Sequence, residues 1–348
     1  MEIRYGRSRN ATRFSLEPPR LGAGLGVVNH MPTSRAFTPP RPEPLPAVIA
    51  LMRCMIRGDG DLLSLLPAEA YRMPIGPLGY SRRSTIIVNR PDLVREVLTD
   101  SKGILPKSDL MVHALDPLIG DSIFVSSGAT WRRQRGMIDP ALTMMRVNRA
   151  FPAMEAGAAA AEATLADHAA RNTRFSLDLM MSHMTADIIC RTVFSTGLET
   201  RVAHEVFDAF TEFEHSVAQV EIRRLIFDRA WKRIPQKESV LQACQLIRRY
   251  LGELLDTHLG DGAASFDDIA SAIIAAHDVE GKAFTREELI DQLGVLFLAG
   301  HETSASALSW ALYLLALYPQ VQERVAAEAV SLGQAPDFSE LSKLKYTR

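Results

Sequence analysis

The sequence predicts a mainly α-helical protein with a small β-sheet near its N-terminus. Three observations carry that prediction. A run of about 32 residues after Thr285 contains no helix breaker other than single glycines until Pro319. From Thr130 onward nearly every segment places apolar residues on a helical repeat. Before that, two short strand-like pieces, Tyr71 to Ile75 and Ser84 to Asn89, flank the turn residues Gly76, Pro77 and Gly79.

The elements follow in order. Residues 1–45 read as a flexible leader, because Pro18, Pro19, Pro32, Pro39, Pro40, Pro42, Pro44 and Pro46 oppose a stable helix. Its arginines and serines faintly resemble a transit peptide, but the prolines favour a loose leader. Leu62, Leu63, Leu65 and Leu66 give a short helical pattern over 62–72. Pro91 opens a further helix carrying Leu93, Val94, Val97 and Leu98. Helices are then expected over 153–170, from a Ser176 or Asp178 cap to Phe194, over 202–231 and over 236–259, with apolar residues again at 266–276. Thr285 and Glu288 have capping-box spacing. The long helix that follows spans about 48 Å at 1.5 Å per residue, and its apolar composition predicts cover on most sides.

Bulk properties exclude several classes. Hydrophobic residues at 47% and charged residues at 23% are ordinary globular values. A net charge of −2, without a basic stripe interleaved by aromatics, gives no reason to expect nucleic acid. Ala47 to Leu66 is broken by Arg53, Arg57, Asp59 and Asp61, so no segment reads as a membrane span. Three scattered cysteines, Cys54, Cys190 and Cys244, make neither a zinc site nor a disulfide framework. They are expected as thiols in a reducing, cytoplasmic setting.

Two groups of residues carry chemistry. On the long helix, Ala299-Gly300-His301-Glu302-Thr303-Ser304 forms a polar notch between apolar flanks. Burying a carboxylate costs several kcal/mol (about 2–7 for a polar group without a partner, more for a charge), so the notch must be paired or hydrated. The Thr303 hydroxyl can bond back to the preceding turn, as helical threonines commonly do, or it can hold a water or bound oxygen. A zinc-protease reading of His301-Glu302 fails, because the fifth position is Ala305 rather than His. The second group is Gly128 to Arg135. Trp131 and Arg135 stand four apart on one helix face and present an indole N–H and a guanidinium suited to carboxylates. An ordinary basic surface turn is the competing reading.

The segment Leu296 to Ser304 resembles the oxygen-binding helix of the cytochrome P-450 family, whose pattern is Ala/Gly-Gly-x-Asp/Glu-Thr-Thr/Ser. The flanks Thr285 to Gln292, Trp310 to Leu315 and Tyr318-Pro319 are similar too, and Trp131-x-x-x-Arg135 resembles that family's propionate-binding helix. Weaker likenesses at Asn89 to Leu98 and Thr185 to Phe194 extend the match, in family order, from about residue 62 to the end. The resemblance implies a haem-thiolate monooxygenase of the soluble bacterial type with haem b as cofactor. It implies catalytic roles for Glu302 and Thr303, and cofactor contacts by Trp131, Arg135, Ala299, Gly300 and Lys107. It also implies a small apolar organic substrate and a ferredoxin or flavoprotein reductase as electron donor.

Two family patterns do not occur: Glu-x-x-Arg after the oxygen helix, and the Phe-x-x-Gly-x-x-x-Cys-x-Gly loop that carries the thiolate. Glu221-Ile222-Arg223-Arg224 fits the first by letters but precedes the oxygen helix. Residues 46–348 are therefore expected to be the N-terminal and central part of a single domain, C-terminally truncated. No axial cysteine is assigned, because none of Cys54, Cys190 and Cys244 stands in that motif, and in this family the thiolate is what supports O–O cleavage. The alternative expectation is a catalytically inactive relic or a non-catalytic ligand or haem binder.

Overall fold

The structure is a computed structural model. It describes residues 43–57, 66–77, 86–99, 105, 107–142, 150–198, 201–218, 235–260, 266–333 and 337–347. The described residues belong to one compact unit, Pro42–Arg348. In chain order they form α1 (Ala47–Arg57), β1 (Ile75–Pro77), β2 (Ile86–Val88), α2 (Pro91–Leu98), α3 (Asp109–Ile119), α4 (Gly128–Ile138), α5 (Phe151–Ala170), α6 (Leu177–Phe194), α7 (Arg201–Ala218), α8 (Glu238–Gly260), α9 (Ile269–Ile274), α10 (Arg286–Leu317) and α11 (Pro319–Val330). Short 3-10 turns at Ala68–Tyr71, Asp139–Leu142 and Phe338–Lys343 complete them. The sheet is one antiparallel pair, with Ile75 opposite Val88 and Pro77 opposite Ile86.

Local chemistry sets the helix starts. The Thr285 hydroxyl accepts the Glu288 N–H while the Glu288 carboxylate accepts the Thr285 N–H, a complete capping box on α10. Ser176 Oγ accepts the Leu179 N–H to start α6, and Asp268 accepts the Ser271 N–H to start α9. The core then forms around the first half of α10. Leu289, Ile290, Leu293, Val295 and Phe297 are buried against α6, α8 and α3. Each such side chain contributes roughly 1.5–3 kcal/mol of burial.

A polar framework ties the loop between α3 and α4 to α10. Asp291 accepts from Arg248 of α8 at 2.6 Å, and the same guanidinium donates to the Leu118 carbonyl at 2.9 Å. Gly120 sits beside this pair at φ +48, and a Cβ there would lie 2.2 Å from the Asp291 carboxylate. Only glycine combines that left-handed backbone with so close an approach. Gln292 Oε1 accepts the Ile123 N–H at 3.1 Å, and Gln134 of α4 bonds Ser126 and the Asp121 carbonyl.

The structure corrects three sequence expectations. The first strand is Ile75–Pro77, not Tyr71 to Ile75, because residues 68–71 close a 3-10 turn instead. The long helix is not covered on most sides. Beyond Ala305 most of its residues are exposed, including Leu308, Trp310, Leu312, Leu314 and Leu317. Composition records that these residues are apolar but not whether a neighbour covers them. An unanticipated helix, α3, runs through Pro117, which supplies no N–H to the helical ladder. The helical patterns expected over 62–65 and 219–231 lie outside the described residues.

Candidate functional site

The notch on α10 has two sides. On the open side, Ala299 and Thr303 lie one turn apart and both are exposed, as is Glu302. Thr303 Oγ1 donates to the Ala299 carbonyl at 2.7 Å. That is the ordinary back-bond of a helical threonine, and it leaves the oxygen lone pairs able to accept from a further donor. On the closed side, Gly300 meets α6. A Cβ at Gly300 would stand 2.5 Å from Ile189 Cδ1, so a glycine is what lets the two helices approach there.

His301 is sealed at 1% exposure among Phe207 and Phe210 of α7 and Phe297. Its Nδ1 faces the Phe297 carbonyl at 3.1 Å, and its Nε2 stands 3.2 Å from Glu214 Oε1 on α7. The Glu214 contact has ion-pair distance but not the alignment of a full hydrogen bond. Both ring nitrogens thus face acceptors, which calls for two protons on the imidazole. Burial works against that charge, but Glu214, the Phe297 carbonyl and Glu302 outweigh it, and the pKa of His301 lies above its ordinary 6.5. The His301 carbonyl accepts from the Thr185 hydroxyl of α6 at 2.9 Å. The notch is therefore clamped from α6 and α7 while its Ala299/Thr303 side stays open.

The second group lies on α4. Trp131 and Arg135 share an exposed face, and Arg135 pairs with Asp139 one turn on, at 2.7 Å. An exposed pair of this kind is weak and exchanges readily for another carboxylate. Arg133 points the other way. It binds Glu288 at 2.7 Å and Asp278 at 3.1 Å, so it fastens α4 to the start of α10 and to the bridge between His277 and Ala283. Lys107 is not a swinging side chain. Its Nζ donates to the Ile123 and Phe124 carbonyls at 2.9 and 2.8 Å. Loss of hydration lowers its pKa, and the charge of Asp121 partly restores it.

The structure places Trp131 with Arg135 on α4, and Ala299 with Glu302 and Thr303 on α10. Gly300 serves the packing of α10 on α6. Sequence reading missed Glu214, Arg133, Arg248 and Gln134. Their partners lie up to 155 residues away in sequence, so no local spacing announces them. His301 stood within the motif, but only its aromatic enclosure distinguishes it as a buried ionic residue.

Among the described residues there is no group of three His, Cys, Asp or Glu able to hold a metal ion. None of their helices is long and apolar enough to cross a membrane. Cys190 and Cys244 are buried free thiols. Burial first, then Asp187 against an opposing Arg191, pushes Cys190 up to about 12; burial, opposed by Arg248, does the same for Cys244.

These elements define a class first: a helical domain whose longest described helix carries a polar notch and is tied through Arg133 to a helix that exposes Trp131 and Arg135. Comparison with known proteins gives the family. The Cytochrome P-450 family model matches residues 39–348, and the chain belongs to that family. It is 28% identical over 313 residues to cyclooctatin synthase of Streptomyces melanosporofaciens, covering 84% of this chain and 63% of that protein. It is 28% identical over 304 residues to cyclooctat-9-en-7-ol 5-monooxygenase of the same organism, covering 83% and 61%. The crystal structure of a cytochrome P-450 (CYP102L1) superposes with TM-score 0.67 at 19% identity, over 88% of this chain and 68% of that one. The cytochrome P450DA heme domain gives 0.65 at 20%, over 80% and 59%. The chain spans about three fifths of the length of the first curated relatives it matches.

Haem is the cofactor this family implies. Two exposed groups among the described residues have chemistry that suits it. The Trp131/Arg135 donors suit propionate carboxylates, and small Ala299 leaves the α10 wall open beside Thr303. The described cysteines do not suit it. Cys190 and Cys244 are buried free thiols whose burial pushes their pKa up, away from the thiolate form that ligates iron. The side chain of Cys54 lies outside the described residues.

Proposed function

We propose that this chain forms the oxygen-side wall and the propionate anchor of a haem-dependent monooxygenase. In this reading Thr303 and Glu302 hold and pass protons at the oxygen side, Ala299 lines the wall while Gly300 lets α10 pack close on Ile189 behind it, and Trp131, Arg135 and Lys107 form the carboxylate-binding edge. The substrate is a small apolar organic molecule that receives one atom of O2, and electrons come from a ferredoxin or flavoprotein reductase. One observation carries the reading: the α10 notch is clamped shut on its α6 and α7 side and open on the side of Ala299 and Thr303. The state of Cys190 and Cys244 favours a second reading, a non-catalytic haem or ligand binder.

The chain supplied with haem, a reductase system and isotopically labelled O2 decides between them. The first reading expects labelled product from an apolar substrate panel, with Thr303→Ala lowering product formation per electron consumed by about tenfold or more. Haem binding without labelled product, and without the thiolate-type absorption band of the reduced carbon monoxide complex, establishes the second.

A further inference from the structure

Trp131 and Arg135 occupy one side of α4, and the opposite side belongs to Arg133. At about 100° per residue, Trp131 and Arg135 lie within about 40° of each other around the helix, with Arg133 about 160–200° from both. All three guanidinium nitrogens of Arg133 are engaged. Nη1 donates to Glu288 Oε1 at 2.7 Å, and Nη2 reaches Glu288 Oε2 and the Ala283 carbonyl, each at 3.4 Å. Nε donates to Asp278 Oδ2 at 3.1 Å, and the guanidinium carbon stands 5.4 Å from the centre of the Phe284 ring. The two carboxylates are themselves held. Glu288 closes the capping box with Thr285, and Asp278 accepts the Glu280 and Lys282 N–H groups of its own turn.

Among the described residues, no other α4 side chain makes a hydrogen bond or ion pair with a segment after Asp139. Gln134 bonds Ser126 and the Asp121 carbonyl, and Arg135 bonds Asp139. The start of α4 has no side-chain cap, and Gly128 is at φ +58. An arginine already shared by two carboxylates is not a donor for a ligand; it is a strut between α4 and the start of α10. We propose that Arg133 is a positioning residue, which sets the rotation of α4 about its own axis and so aims Trp131 and Arg135 at the haem carboxylates. The inference rests on the carboxylate-binding edge proposed above. A donor pair serves a ligand only when its supports hold it within about 0.5 Å and about 10–20° of the productive geometry. Met137 and Ile138 are buried without help from Arg133, so α4 keeps its packing when the strut is cut.

The test titrates the full chain with haem and with haem dimethyl ester, whose two carboxylates are blocked, and compares the affinities. The unaltered chain should prefer haem by about tenfold, through the carboxylate donors of α4. Arg133→Ala should lose most of that preference, weakening haem by about five- to tenfold and the ester by less than about twofold. Arg133→Lys should restore part of it, because an ammonium keeps the charge but not the fork that holds two carboxylates. Asp278→Asn cuts one leg of the strut and should give a smaller loss in the same direction; it decides the matter if Arg133→Ala does not fold. Equal weakening of haem and ester in these variants overturns the proposal, because Arg133 would then only stabilise the domain. An unchanged preference in the variants also overturns it and leaves the carboxylate edge standing. An unaltered chain that binds neither, or both equally, overturns the edge and the proposal together.

Discussion

Replacing Glu214 with glutamine removes the charge facing His301 and leaves the packing almost unchanged. At 3.2 Å, and with an effective dielectric of about 20, the gross attraction of the pair is about 5 kcal/mol. Part of that offsets the cost of burying both groups, and removing one partner of a buried pair typically costs about 3 kcal/mol. A domain of this size has an unfolding entropy of about 0.6 kcal/mol/K, so the melting midpoint should fall by about 5 °C below pH 6.5. The loss is pH-dependent with a defined sign. The raised pKa of His301 in the folded chain means that its contribution is fully present below 6.5 and disappears as pH rises through the folded value. In Glu214→Gln, burial is no longer outweighed, the folded pKa drops below 6.5, and stability should instead rise as pH climbs toward that value. Thermal unfolding by circular dichroism in both proteins, from mildly acidic to mildly alkaline buffers, should give curves that converge at high pH. Parallel curves across the whole range would refute the assignment of a charged His301 held by Glu214.

Two further predictions follow from packing and burial. Gly300→Ala should destabilise the chain by roughly 1–3 kcal/mol in denaturant titrations, because the new methyl group meets Ile189 Cδ1 at 2.5 Å. Ile189→Val in the same chain should recover part of the loss, and an additive result would show that the contact is not limiting. Cys190 and Cys244, pushed up to about 12, should react with an aromatic disulfide reagent only after denaturant is added. Modification of either in the native chain at neutral pH would contradict their burial.

Much of the fold could be read from local sequence, and the reasons are local too. The Thr285/Glu288 box, the Ser176 cap and Pro319 are short-range signals, and α10, α6 and α11 start where they stand. The small sheet was legible only approximately, since Tyr71 belongs to a 3-10 turn that its aromatic, strand-like character does not announce. The site divides in the same way. The Trp131/Arg135 spacing and the Ala299/Thr303 turn are helix arithmetic. The clamp made by Thr185, Ile189 and Glu214 depends on which helices meet, a tertiary fact that no spacing within α10 encodes. Gly300 illustrates the difference: its place in a motif suggested a cofactor contact, and its nearest neighbour is Ile189. The exposed second half of α10 was equally illegible, because Trp310 or Leu314 reads the same whether covered or open.

The measurement that bears most directly on the central claim is a haem titration of the purified chain, followed by Soret absorbance and by tryptophan quenching. The account predicts saturable binding of about one haem per chain, weakened about tenfold by Arg135→Ala and by Trp131→Phe through loss of the carboxylate donors. Arg132→Ala, an exposed neighbour two residues short of the buried Gln134, should leave binding unchanged. Absence of saturable binding, or equal affinity in all four proteins, would contradict the assignment of α4 and α10 as two walls of one haem site.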